Sequence, residues 1–325
     1  MFSPPAVAGD HLYAASCSGS VFGLRRADGD FVWVYDARDD GGRPEYHGTS
    51  IVTDDVIVIA TDDRRAEAVG HVYALDRTTG EPRWKQPFAI GVMTDLIPVG
   101  DVLYFATLTE QVVALKLASG EPVWTFEAGS AVKGFFATST PLVAESRVFF
   151  GGIDGTLHAL NRETGEKVWS RSLGERVSTA LIAIDGKILA GTADNKLHLL
   201  EPATGKIVAT RDLPGLPFGR PVVDGGVVVF MTGGEVRSLS SDLSSVRWES
   251  KVDTEWASFR PVVIGEEILA GADDGRVYAL RLKDGATSWS QDFGGPVTSL
   301  TSAEQGSAIY IGTAKGIVFA TRFER

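Results

Sequence analysis

Two apolar residues, a polar turn ending in Gly and then a Trp recur along this chain at a period that only a repeat architecture explains. The copies read Val21-Phe22-Gly23-Leu24 with Gly29 and Trp33, Val72-Tyr73-Ala74-Leu75 with Gly80 and Trp84, Val112-Val113-Ala114-Leu115 with Gly120 and Trp124, and Leu157-His158-Ala159-Leu160 with Gly165 and Trp169. The fifth copy, Leu197-His198-Leu199-Leu200 with Gly205, carries Ala209 in place of Trp, and the sixth, Val236-Arg237-Ser238-Leu239, loses the Gly but keeps Trp248. Val277-Tyr278-Ala279-Leu280 with Gly285 and Trp289 is the seventh. Successive Trp positions, counting Ala209, lie 51, 40, 45, 40, 39 and 41 residues apart. A fixed period in the range of roughly 20–50 residues decides the fold before any local assignment does.

Each unit also holds two earlier β-branched runs joined by a Gly/Asp turn, as at Val99-Gly100-Asp101, Asp185-Gly186-Lys187, Asp224-Gly225-Gly226 and Gly265-Glu266. Such runs read as antiparallel hairpins. A second Gly precedes the third strand (Gly19, Gly70, Gly155, Gly234, Gly275, Gly316), where a tight turn calls for positive φ. One unit is therefore four short antiparallel strands, and such units arranged around an axis make a β-propeller. The chain is expected to be all-β, a single eight-bladed propeller over 1–325 with blades near 5–36, 48–89, 91–128, 134–173, 176–213, 217–252, 257–293 and 296–325. The eighth blade lacks its outer strand: after Val297–Leu300, Ala308–Gly312 and Ile317–Ala320 the sequence stops at Arg325. The residues before the first blade, Met1 to Pro4, are too few to supply that strand. The native chain is therefore expected to continue upstream or to be one domain of a larger protein, with a plain three-stranded blade as the alternative.

Composition narrows the function classes. With 31 basic and 42 acidic side chains the net charge is −11, and there is no Lys/Arg cluster, so a nucleic-acid surface is not expected. A 44% apolar fraction supports a large core, and the absence of an apolar run of about 18 residues argues against a helical membrane span. Cys17 stands alone, so no intramolecular disulfide can form. Met1-Phe2-Ser3-Pro4-Pro5 has no basic region followed by an apolar stretch and hence no visible signal peptide. The chain reads as soluble, acidic and monomeric, or as part of a larger chain.

The segment Ala74-Leu75-Asp76-Arg77-Thr78-Thr79-Gly80-Glu81-Pro82-Arg83-Trp84, followed closely by Ala159–Trp169, resembles the PQQ-type repeat, and the resemblance runs from Pro5 to Phe323. It implies that Trp33, Trp84, Trp124, Trp169, Trp248 and Trp289 are structural, packing between neighbouring blades with the indole N–H on a backbone acceptor. It also implies one of two functional classes. Quinoprotein dehydrogenases of this repeat bind PQQ and Ca²⁺ on the axis. Non-enzymatic members include the eight-bladed scaffold lipoprotein of the outer-membrane β-barrel assembly machine and sensor or accessory domains. The large periplasmic dehydrogenases hold the cofactor against a disulfide between adjacent cysteines, which lone Cys17 cannot make. The longest extra segments here, near 36–47 and 62–70, are too short to cap a cofactor. PQQ is therefore not expected, and the family leans to the periplasm or the extracytoplasmic face.

No nucleophile elbow, His-Glu-x-x-His or phosphate-binding loop is present; the Gly-Lys pairs at 186–187 and 205–206 are followed by Ile. Asp36-Ala37-Arg38-Asp39-Asp40-Gly41 begins like a calcium loop, but Arg38 takes a ligand position and His47 stands where the bidentate Glu belongs, so a solvated loop is expected. His158 and His198 occupy the repeat position of Tyr73 and Tyr278 and read as strand residues. The residues that repeat consensus does not require lie where the innermost strands begin: His47, Asp95, Lys133, Arg220, Glu255, Trp256 and Arg260. They are candidates for a polar ligand or peptide site at the mouth of the axial channel, or simply charges that neutralise one another. Two functions follow. The first is a non-catalytic binding or scaffold module offering a face, or the Ile317–Thr321 edge, to a protein or peptide partner. The alternative is a small-ligand sensor or enzyme using His47 with Asp95 as acid/base and Arg220 with Arg260 as an anion clamp.

Overall fold

A computed structural model describes residues 3–63, 65, 68–129, 139–258, 260–303 and 308–322. Their strands form eight antiparallel sheets in chain order, seven of four strands and a last one of three. The complete blades run over residues 6–36, 51–89, 97–127, 142–172, 182–212, 217–251 and 262–292, and the three-stranded blade over 297–321. Within each blade the strands are neighbours in sequence order, so every connection is a hairpin. First strands of adjacent blades touch, as Ala6–Ala8 does Ile51–Val52, Leu142–Ala144 does Ile182–Ile184, and Val262–Ile264 does Val297–Ala303. These strands ring the axis.

The second and third strands of the seven complete blades are largely apolar and mostly buried, because each is covered by a neighbour on either side. The fourth strands alternate, with Val32, Val34, Val123, Val168 and Val208 exposed. The core accordingly divides into interblade clusters. Tyr13, Trp33, Ile57, Ile59 and Leu75 fill the seam between blades one and two, and equivalent sets fill the next six seams. Between blades eight and one the described residues bury only Leu12, Ala303 and Tyr310, with Arg26 Nε donating to Tyr310 Oη at 2.7 Å.

The repeat Trp explains its own spacing. In all seven complete blades the pairing of third and fourth strands shifts by one residue beside this position, a bulge that sets the side chain across the seam. The indole N–H then donates to the next blade: Trp33 to the Arg77 carbonyl (3.0 Å), Trp84 to Leu117 (3.0 Å), Trp124 to Arg162 (2.9 Å), Trp169 to Pro202 (3.0 Å) and Trp248 to Leu282 (2.7 Å). Three residues beyond each acceptor is the turn glycine on which the ring lies. A Cβ at Gly80, Gly120, Gly165, Gly205 or Gly285 would come within 2.3–2.6 Å of the indole. Where the fifth blade has Ala209 instead of Trp, the sixth has lost the glycine, and Leu243 (φ +63°) is buried in that seam. Trp and Gly act as one device, and between blades five and six the chain has replaced both.

The second glycine behaves as expected at Gly19, Gly155, Gly234, Gly275 and Gly316, all at positive φ. Gly70 differs. It lies inside the strand Val69–Asp76, and a Cβ there would fall 2.3 Å from the Thr61 carbonyl oxygen and 2.5 Å from Gly91 Cα. Close backbone approach, rather than turn geometry, demands glycine at this position.

Candidate binding site

The segments leading into the innermost strands are stitched together by polar contacts. Ser3 Oγ donates to the Gly48 carbonyl (2.7 Å), the Thr49 N–H to Asp95 Oδ1 (3.0 Å), the Asp95 N–H to Thr140 Oγ1 (3.2 Å), and Ser139 Oγ to the Thr179 carbonyl (2.9 Å). Thr179 and Gly219 form a parallel bridge. Blades one to six are thus linked in sequence around the channel mouth.

Arg260, from blade seven, reaches across this ring. Its Nη2 lies 2.5 Å from Asp95 Oδ1 of blade three, and its Nη1 donates to the His47 carbonyl of blade two at 3.4 Å. The Thr49 hydroxyl also donates to the same carboxylate oxygen. The side chains of Asp95 and Arg260 are only 7% and 22% exposed, so this is an ion pair largely removed from water. Burial alone would raise the Asp95 carboxyl; the Arg260 charge and the hydrogen bonds of Arg260 and Thr49 outweigh it and hold the group below its usual value.

His47 is turned the other way. Its Nδ1 is 2.6 Å from Asp62 Oδ1, a fully buried carboxylate, and its Nε2 is 3.7 Å from Glu45 Oε2. The three residues offer metal-ligating atoms within 4.8 Å of one another. The imidazole sits between the carboxylates, however, and an ion on Nε2 would find Asp62 engaged by the opposite nitrogen. That arrangement orients a histidine; it does not close a four-ligand site.

The remaining sequence-derived candidates do not join this cluster. Arg220 sits in the irregular part of Pro217–Val223, where the register shifts between Phe218 and Val222, and it is exposed. Glu255 is also exposed and accepts the Gly233 N–H on both oxygens, at 3.0 and 2.8 Å. Trp256 lies in the core between blades six and seven, edge-on to Phe230 (5.1 Å) and Tyr278 (5.9 Å). Lys133 is outside the described residues. The structure therefore brings together His47, Asp95 and Arg260, with the histidine engaging Arg260 through its backbone carbonyl. Asp95 is paired with Arg260 rather than with the His47 ring, and Arg260 with Asp95 rather than with Arg220. The Arg260 guanidinium and the Asp95 carboxylate neutralise each other at the channel mouth.

A second polar feature had no sequence signal beyond the two extra segments. A cleft of about 300 Å³ is lined by Asp40, Gly41, Gly42, Asp63, Arg65, Ala68, Val69 and His71. Its charges are also internally paired, Asp63 with Arg65 and Asp40 with Lys85. The Arg65 guanidinium holds the Asp63 carboxyl down at about 2. In the calcium-like segment, residues 37–40 form a 3-10 turn capped by Asp36, whose carboxylate is taken by Arg38, as a solvated loop requires.

The sequence profile described as outer membrane protein assembly factor BamB matches residues 1–89, 68–291 and 212–324. The chain belongs to the BamB family. BamB of Yersinia pestis is 25% identical over 219 residues, covering 62% of this chain and 56% of the relative. The chain spans about half the length of this and two further curated BamB relatives, at 50% and 49%. The crystal structure of BamB from Moraxella catarrhalis superposes with a TM-score of 0.76 at 26% identity, covering 99% of this chain and 94% of that one. A quinoprotein ethanol dehydrogenase of Pseudomonas putida is 29% identical over 186 residues, covering 51% of this chain and 28% of the enzyme. The crystal structure of quinohemoprotein alcohol dehydrogenase from Comamonas testosteroni also superposes, with a TM-score of 0.73 at 12% identity over 95% of this chain and 69% of that one, a likeness of fold alone.

Proposed function

We propose that this chain is a non-catalytic, protein-binding scaffold of BamB type that acts without PQQ on the extracytoplasmic side of the cell, where it serves outer-membrane protein assembly. The observation that carries this reading is the state of the axis. The charged groups that an enzyme or sensor would turn toward a ligand, Asp95 and Arg260, are spent on each other across the channel mouth. A self-neutralised mouth leaves recognition to the rims and edges of the blades. Membership of the BamB family supports the same reading.

The test is in-cell crosslinking followed by purification of the tagged protein from its own host, with native mass spectrometry of the product. The expected result is a crosslink to a protein of the outer-membrane assembly apparatus and a bare propeller mass. A small molecule retained by the propeller, and lost when exposed Arg220 is changed to Ala, would replace this reading with that of a ligand sensor.

A further inference from the structure

We infer that Asp185–Gly186, the turn between the first two strands of blade five, is a modification site, the Asp-Gly pair at which the glycine nitrogen attacks the aspartyl side chain and leaves an isoaspartyl linkage. The sequence holds seven Asp-Gly pairs, beginning at Asp28, Asp40, Asp154, Asp185, Asp224, Asp274 and Asp284. Conversion needs a glycine nitrogen free to attack, a carboxyl free to receive it, and a backbone free to turn about the aspartyl residue. Five pairs fail on the first two counts. The nitrogens of Gly29, Gly41, Gly155, Gly275 and Gly285 donate to the carbonyls of Arg25, Arg38, Gly152, Ala272 and Arg281 at 2.8–3.2 Å. Their aspartates are occupied as well. Asp28, Asp154, Asp274 and Asp284 each accept the N–H two residues on, the turn this residue type favours. Asp40 accepts the Tyr35 hydroxyl at 2.7 Å and pairs with Lys85. Asp224–Gly225 fails on the third count. The Asp224 carbonyl accepts Arg247 Nη1 at 2.6 Å and its N–H donates to the Gly226 carbonyl at 3.1 Å, so the peptide groups on both sides of the residue are held.

Asp185–Gly186 is secured in none of these ways. Among the described residues, the Gly186 N–H, the Asp185 carboxylate and the Asp185 carbonyl take part in no hydrogen bond. Both residues are exposed, at φ +45° and +69°, and a Cβ on Gly186 would meet nothing within 4 Å. They form a two-residue hairpin turn closed by the Ile184–Lys187 pair, the setting that Asp-Gly favours. In the reaction the Gly186 nitrogen gives up its proton and bonds to Asp185 Cγ, and a carboxyl oxygen leaves as water. The five-membered imide then takes up one water at its backbone carbonyl carbon, where the bond to the Gly186 nitrogen breaks. The chain now runs through the Asp185 side chain, one methylene longer and unchanged in mass, and the former backbone carbonyl is a carboxylate. The strand that leads into this turn carries Ile182 and Ile184, both buried in the seam between blades five and six, where Ala209 stands in the Trp position. The longer linkage therefore loosens a seam that has no Trp.

The proposal does not rest on the BamB-type function and is tested on the purified protein alone. The folded protein is held at physiological temperature and neutral pH for several weeks, and isoaspartate is mapped by peptide fragmentation that separates the two linkages. At least tenfold more isoaspartate is expected at residue 185 than at any of the other six aspartates, whereas in guanidinium-unfolded protein all seven should convert at similar rates. Asp185→Glu closes the five-membered path and is accommodated by the turn, since Glu145 at φ +51° holds the matching position of blade four. The fresh variant should melt with the wild type and, unlike the wild type, keep its melting temperature on storage. Conversion at another pair as fast as at Asp185, or none at 185 in the folded protein, overturns the proposal. So does a preference for Asp185 that survives unfolding, because sequence and not hydrogen bonding would then set it. An equal fall in melting temperature for stored wild type and Asp185→Glu also overturns it.

Discussion

The seam between blades one and two and the seam between blades eight and one are built from the same repeat and end differently. In the first, Trp33 lies on Gly80, donates to the Arg77 carbonyl and joins a cluster with Tyr13, Ile57, Ile59, Tyr73 and Leu75. In the second, Gly29 has the same backbone conformation and no ring above it, and the described buried core shrinks to Leu12, Ala303 and Tyr310. The comparison separates what closes the ring from what staples each blade to the next. Among the described residues the eight-to-one seam holds Leu12, Ala303, Tyr310 and the Arg26–Tyr310 hydrogen bond. The staple needs a fourth strand.

The largest expected difference comes from removing a staple. Trp84→Ala should cost about 3–5 kcal/mol by denaturant unfolding, since it deletes a large buried ring and leaves its neighbours on Gly120 uncovered. Breaking the axial tie comes next. Arg260→Met should cost about 3–5 kcal/mol at neutral pH, because Asp95 stays buried without its counter-charge, and adding Asp95→Leu should recover most of the loss. The sign of the pH dependence is set by the lowered Asp95 carboxyl. Its contribution is in full force above the ordinary carboxylate value of about 4 and disappears as pH falls through the lower folded value, so Arg260→Met should flatten the acid limb of the stability curve.

Gly80→Ala against Gly29→Ala isolates the ring contact. Both substitutions strain a left-handed residue by about 1 kcal/mol, but only Gly80→Ala drives a methyl into an indole, for a further overpacking cost of roughly 1–3 kcal/mol. Equal losses would mean that a ring also covers Gly29. The smallest effect concerns His158, whose burial lowers its pKa. A lowered histidine favours the folded chain above the unfolded value of about 6.5 and loses that advantage as pH falls toward the folded value. His158→Phe should therefore reduce the stability lost between pH 7 and pH 5, as read by thermal melts.

The propeller was legible because Trp and Gly must meet across every seam, so their spacing prints the blade period on the sequence; even the Ala209 lapse is answered by Leu243 one blade later. The axial site was legible only as a set of unexplained charges. Asp95 and Arg260 lie far apart in the chain and three whole blades intervene between theirs, so the partner each chooses follows from the closed ring and from no local pattern. His47 was read with Asp95, yet the nearby Asp62, brought alongside by the Glu45–Asp62 bridge in the extra segments of blade two, takes its ring. Trp256 stood out as the one Trp off the repeat position, and the structure buries it against Phe230 and Tyr278.

Hydrogen exchange compares the two kinds of seam most directly. The amides of Val318–Thr321 and of the Gly29 turn should exchange orders of magnitude faster than those of Gln111–Lys116 and the Gly120 turn, their counterparts in a stapled blade. Equal protection at the two sites would contradict the account, because it would mean that the outer edge of Val318–Thr321 is as covered as a stapled strand.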